Sequence, residues 1–211
     1  MLKTQTEKPV IRDRMDEAIK ERSEGQPLEA LATLELNQDL LDEGSDLEKG
    51  KFHNGRGGAL YELGHYQDAL DEFLSAGFHY QQCDELRRGI TENNISNCYL
   101  KLGRIKEAKE HAFKAISIFT LHNHANWLAQ TQTTLASVFI QEGIYFEASQ
   151  MASIAYSALR DSDDARAKNE ALTTWYLAVW CHFLATIVGL SCEGAHTAGR
   201  VGQSCPLVEV K

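Results

Sequence analysis

The sequence predicts an all-α, right-handed α-solenoid of stacked helical hairpins, and three observations carry that prediction. Gly25, Gly64, Gly103 and Gly143 recur at steps of 39, 39 and 40 residues. Each is followed five residues later by an alanine: Ala30, Ala69, Ala108 and Ala148. Only three prolines occur in 211 residues, which leaves room for long helices. A fixed period of this size marks one helical hairpin copied and stacked.

Residues 1–10 form a polar segment with no apolar pattern and are expected to be a disordered N-terminus. The repeat domain is expected over 11–170, with units at about 11–42, 46–80, 85–120 and 125–160. Unit one is degenerate, but Pro27 suits a first helical turn, where a missing N–H costs nothing, and Ala30 and Leu34 follow at helical spacing. In unit two, the apolar spacing of Gly57-Gly58-Ala59-Leu60-Tyr61-Glu62-Leu63 reads as the end of a helix. Gly64 stops it, because glycine reaches the left-handed cap conformation at little cost. A second helix starts at Tyr66 and turns Ala69, Leu70, Phe73 and Ala76 inward, with small residues permitting close helix approach. Units three and four repeat this grammar through Ala108, Ala112 and Ala115, and through Ala148, Ala152 and Ala155. Ser45 or Asp46, Asp84, and Asp163 or Asp164 are candidate N-caps for the first helices of units two, three and five.

A fifth unit opens at Ala165, yet its glycine, due near residue 183, is replaced by Phe183. An apolar C-terminal helix is expected over 164–190, and from Ala171 to Cys192 it carries no formal charge. Solenoid caps normally keep a polar outer face, so three readings stand. The segment is buried against another subunit or domain, which allows self-association through this helix. It is a membrane anchor of about 20 residues, a reading that His182, Thr173 and Thr174 weigh against. Or it is sequence altered by truncation or a frame change, which the aperiodic, small-residue tail at 191–211 favours.

The pattern Gly-x-Tyr/Ile-x-x-Ala, then Phe or Ala and a further Ala, resembles the tetratricopeptide (TPR) repeat. Its period matches the long-repeat variety of about 40 residues, found in kinesin light chains, Rap-type bacterial regulators and the sensor halves of bacterial signalling proteins. Asn93-Asn94-Ile95-Ser96-Asn97 is similar to that variety's Asn-Asn-Leu-Gly-Asn segment. Arg56 and Asn37 depart from the pattern, standing where an aliphatic and a small residue are usual.

In stacked hairpins the first helices line the concave face, and a stripe at spacing four faces the groove. In unit three that stripe is Asn93, Asn97 and Lys101; in unit two, Asn54, Gly58 and Glu62, with Tyr61 beside them; in unit four, Thr133, Ser137 and Gln141. Asparagine offers a donor and an acceptor and so can pair with any extended peptide backbone. The resemblance implies that Asn54, Asn93 and Asn97 clamp a bound peptide. Lys101 alone does not make the cationic clamp that acidic chaperone tails require.

Composition narrows the function classes. A net charge of −9 argues against nucleic acid as a partner and suits a basic or neutral protein segment. No apolar signal segment opens the chain, and five cysteines without a Cys-x-x-Cys pair suggest reduced, cytoplasmic thiols. No cofactor or metal site is read. His122-Asn123-His124 falls in an inter-unit turn, Asp161–Asp164 lacks the glycine and glutamate of a calcium loop, and Cys83 and Cys98 read as buried thiols. No phosphate loop or nucleophile elbow appears. The sequence therefore predicts a non-enzymatic protein- or peptide-binding scaffold or regulatory module of a bacterial signalling system. The alternative is the sensor half of a larger enzyme, such as a diguanylate cyclase, whose catalytic domain is missing from this chain.

Overall fold

A computed structural model describes residues 11–41 and 44–187; the expectations for 1–10 and 191–211 lie outside the described residues. Among the described residues there are nine α-helices and no strand. They pair as α1 (Ile11–Ser23) with α2 (Pro27–Glu35), α3 (Asp46–Glu62) with α4 (Tyr66–Tyr80), α5 (Glu85–Lys101) with α6 (Ile105–Leu121), and α7 (Ala125–Glu142) with α8 (Tyr145–Leu159). The last helix, α9 (Ala165–Ile187), has no partner following it among the described residues and runs straight through Phe183. Each helix packs on its successor, and α1 touches α3, α5 touches α7 and α7 touches α9. This is the right-handed α-solenoid of TPR-like hairpins that the period predicts.

The four periodic glycines all take positive φ, at 80°, 85°, 73° and 79° in chain order. At each, the glycine N–H bonds back three residues and the next N–H bonds back five, as in Gly103 to Leu100 (3.2 Å) and Arg104 to Tyr99 (2.9 Å). These pairs satisfy the last carbonyls of the preceding helix. A Cβ on any of the four would meet nothing within 4 Å, so the requirement is the backbone angle alone. The same closure recurs at Asn123 (φ 55°), between α6 and α7, where His124 N–H reaches Phe119 O at 2.9 Å. Helix starts agree with the sequence too. Ser45 and Glu48 form a reciprocal capping box at α3, the Asp84 carboxylate accepts from Arg87 N–H at α5, and the Asp164 carboxylate accepts from Ala167 N–H at α9.

Between the helices of each hairpin, side-chain sizes are complementary. The repeat alanines Ala69, Ala108 and Ala148 are fully buried, and the Ala108 carbonyl accepts a 2.7 Å bond from buried Ser96 of α5. Gly50 lies so close to the Tyr80 ring that a Cβ would sit 2.6 Å from it. One unit later, Gly89 stands the same way against Ile118 and Phe119. In unit four the equivalent residues are Ala129 and Leu159, both buried in one cluster. The first helix gains a methyl where the second gives up a ring.

A second intra-hairpin contact is polar. In unit two His53 of α3 meets Glu72 of α4 at 2.8 Å. In unit three the order is reversed, with Glu92 of α5 meeting His111 of α6 at 2.6 Å. Arg56, the departure from the repeat pattern, bridges Glu72 (3.2 Å) and Glu35 of α2 (3.3 Å), so the guanidinium ties three helices where an aliphatic residue would tie two. Asn37, the other departure, caps the end of α2 by donating to Thr33 O.

Size complementarity predicts a coupled pair. Gly50→Ala alone forces the ring aside and should cost about 1–3 kcal/mol. Combined with Tyr80→Leu, which reproduces the unit-four pair, the double variant should be at least about 1 kcal/mol more stable than the summed single losses. Strict additivity in urea unfolding would refute the complementary packing.

Candidate functional site

The odd-numbered helices line the concave face, as side chains from the first and last of them meet there. Glu62, at the end of α3, faces Arg22 of α1 at 3.6 Å and Arg166 of α9 at 4.0 Å. The Arg22 guanidinium comes to it over Gly58, with Nη1 standing where a Cβ would sit. These partly solvated ion pairs each contribute little stability; their importance is that they mark where the two ends of the array converge.

Beside them opens a cleft of about 440 Å³. Its wall is drawn from the end of α3 (Gly58, Tyr61, Glu62), the middle of α5 (Asn93, Asn94, Asn97), the first half of α7 (Trp127, Gln130, Thr134) and the first turns of α9 (Asp164, Arg166, Glu170). The cleft thus crosses successive helices diagonally, moving toward the helix N-terminus by about one turn per unit. That obliquity comes from the twist of a stacked array.

Tyr61, Asn93 and Asn97 of the sequence-derived set come together on this wall. Asn97 is half-buried, and its carboxamide makes no hydrogen bond to the described residues. Asn93 is 6% exposed, and its amide oxygen is buried without a partner, a deficit of about 1–3 kcal/mol. Burial pushes the Tyr61 phenol above its ordinary range, with Cys98, Tyr66 and Glu170 adding to the shift, so it stays a neutral hydroxyl. Its ring packs edge-on to Tyr66 at 5.2 Å.

The other members of that set lie elsewhere. Asn54 faces the next unit, its amide oxygen accepting from Asn94 Nδ2 at 3.3 Å. Lys101 is exposed in the last turn of α5. Thr133 is buried and donates to Ala129 O, Ser137 donates to Thr133 O, and Gln141 is exposed at the end of α7. Repeat-by-repeat equivalence missed Trp127 and Gln130. Trp127 stacks on Phe119 at 6.1 Å, and Gln130 donates to the Asp164 carboxylate at 3.2 Å. An aromatic residue and an amide three apart at the start of α7 were the available signal.

Two sequence expectations about chemistry resolve differently. His122-Asn123-His124 is the inter-unit turn, and His122 pairs with Glu85 at 2.9 Å. Cys98 is fully buried, but Cys83 is exposed, correcting its assignment as a buried thiol. It lies past the end of α4, in the turn to α5, where no following helix covers it. Among the described residues no group of three or more His, Cys, Asp and Glu is placed to hold a metal ion, and no helix is long and apolar enough to cross a membrane.

No protein-family model matches the sequence, and no curated protein aligns with it. The structure does match known ones. A kinesin-light-chain-like protein of nearly identical TPR-like repeats from Podosopora anserina superposes with a TM-score of 0.65 at 15% identity, over 90% of this chain and 96% of that one. The apo form of RapI gives 0.66 at 13% identity, over 84% of this chain and 50% of its own. BtubC from P. vanneervenii gives 0.54 at 13% identity, over 94% and 98%. These likenesses define the class: a helical-repeat protein with the TPR-like fold. At such identities they define the fold and nothing finer.

Burial also sets the chemistry beneath the cleft. It pushes the Cys98 thiol up to about 12. At about pH 8, site-resolved mass spectrometry after iodoacetamide treatment should find Cys83 alkylated and Cys98 unmodified until the chain unfolds. The raised value also gives a sign. Its stabilisation is complete below the ordinary thiol value of about 8.5 and is lost as pH rises toward the folded value, because the unfolded chain releases the proton first. Stability in urea should fall between about pH 8 and pH 10, and Cys98→Ala should flatten that fall.

Proposed function

We propose that this chain is a non-enzymatic protein-interaction module that receives an extended peptide segment in the diagonal cleft. The observation that carries this reading is the convergence of Tyr61, Asn93 and Asn97 with Trp127 in one concave cleft, with the Asn97 amide unpaired and the Asn93 amide unsatisfied. Carboxamides pair with the N–H and C=O of an extended backbone whatever its sequence. A half-turn of the Asn93 carboxamide exchanges its two ends and presents an acceptor where a donor stood. The rings of Tyr61 and Trp127 supply the apolar contact that amides lack.

In this reading Asn54 acts one step back, holding Asn94 in place. Lys101, Thr133, Ser137 and Gln141 belong to the flanks, where a longer segment would continue. The acidic chain favours a neutral or basic protein partner over nucleic acid. A scaffold or regulatory role inside the cytoplasm fits reduced thiols and a TPR-like array.

An Asn93→Ala, Asn97→Ala double variant should keep its helical circular dichroism and lose about tenfold or more in affinity for peptides selected on the wild-type protein from a random array. Equal capture by both proteins would remove the cleft from the function.

A further inference from the structure

The last helix has two apolar faces, and only one is used. Ala167, Ala171, Thr174, Ala178, Cys181 and Ala185 are buried, at intervals of 4, 3, 4, 3 and 4. This stripe of small side chains packs on α8 and α7. The opposite face exposes Tyr176, Trp180, Phe183 and Ile187, at 51–64% each, with Leu177 and Val179 exposed on its two flanks. Phe146 of α8, 52% exposed, lies at the edge of this helix, with its ring 5.7 Å from that of His182. By contrast, the outer face of α6 mixes Phe113 with Lys106, Glu110 and Lys114. An apolar surface this continuous marks an interaction site.

Three properties of the face select its occupant. Tyr176, Trp180, Phe183 and Ile187 stand at intervals of 4, 3 and 4, the seam spacing of paired helices. Those intervals read the same in both directions, so an antiparallel second copy sets Tyr176 opposite Ile187 and Trp180 opposite Phe183. From Ala171 to Ile187 there is no Asp, Glu, Lys or Arg, so self-pairing brings no like charges together despite the net charge of −9. Finally, the four seam side chains expose on the order of 500 Å² per copy, with Leu177 and Val179 on their flanks, against the ~800 Å² that each partner brings to a standard interface.

We propose that α9 is a homodimer interface, in which two copies pair α9 antiparallel about a two-fold axis between Trp180 and Phe183. The Trp180 and Phe183 rings, 5.9 Å apart within one chain, meet their counterparts at the centre. The tightest-binding residues of an interface concentrate there. The arrangement is independent of the peptide cleft, whose wall takes only the first turns of α9.

Sedimentation equilibrium on the full 211-residue chain tests it. The wild type should weigh as a dimer, and Trp180→Lys or Phe183→Glu should each weaken dimerisation by about thirtyfold or more. Both sites are exposed, so helical circular dichroism and thermal unfolding should be unchanged. Should either variant unfold, Tyr176→Glu serves as the monomerising change. Mixing the Trp180→Lys and Phe183→Glu chains should restore a mixed dimer, because antiparallel pairing sets position 180 of one against 183 of the other. A monomeric wild type overturns the proposal, whether the face is covered by residues 188–211, by a different protein or by nothing. An open-ended oligomer overturns it, and so does a dimer that mixing fails to restore.

Discussion

Closing a tight hairpin between antiparallel helices is done here through one residue of positive φ that lets the last helical carbonyls be paired, and five of the turns in the array are built this way. Gly25, Gly64, Gly103 and Gly143 supply that residue inside hairpins, and Asn123 supplies it once between them. No side chain crowds these glycines, so their periodicity records a demand on angle alone. Each turn in this way sets the register of the hairpin it closes. Ser96 then finds the Ala108 carbonyl, and Gly50 and Gly89 face the rings of Tyr80 and Phe119. Packing fixes the distance between helices, and the turn fixes which residues share it.

Register in turn shapes the concave face. Because the units stack with a twist, no single repeat position lines the cleft from end to end. It runs from the last turn of α3 to the first of α9, so each helix contributes a different portion of its length. Arg22 and Arg166, from opposite ends of the array, can then share Glu62. The arrangement gathers unsatisfied amides and aromatic rings into one place without any unit carrying a complete site.

The fold was legible because glycine and alanine answer steric requirements that few residues can meet. The caps at Ser45, Asp84 and Asp164 were legible because a short side-chain oxygen is what accepts from the first free N–H groups of a helix. The cleft was legible only at its centre. Extending a stripe by fours turns it about 40° per step on a helix of 3.6 residues per turn, so Lys101 has rotated well away from Asn93. Carrying repeat positions into α7 reached Thr133 and Ser137, which bond to their own helix, whereas the twist brings Trp127 and Gln130 to the wall. Arg22 and Arg166 lie 144 residues apart, and local pattern holds nothing that joins them. Cys83 was misplaced because it was read as lying on or beside a helix, whereas it stands in the exposed turn after Tyr80, among Gln81, Gln82 and Asp84.

The reversed histidine–glutamate contacts have a bearing on how the chain avoids folding wrongly. Repeat proteins are prone to swap equivalent elements between neighbouring units, since each half-hairpin nearly fits its neighbour's partner. Were α5 to pair with α4, Glu92 would meet Glu72; were α3 to pair with α6, His53 would meet His111. Only the native partnering sets a histidine against a carboxylate in both units. The order of two residues thus labels which helix belongs to which.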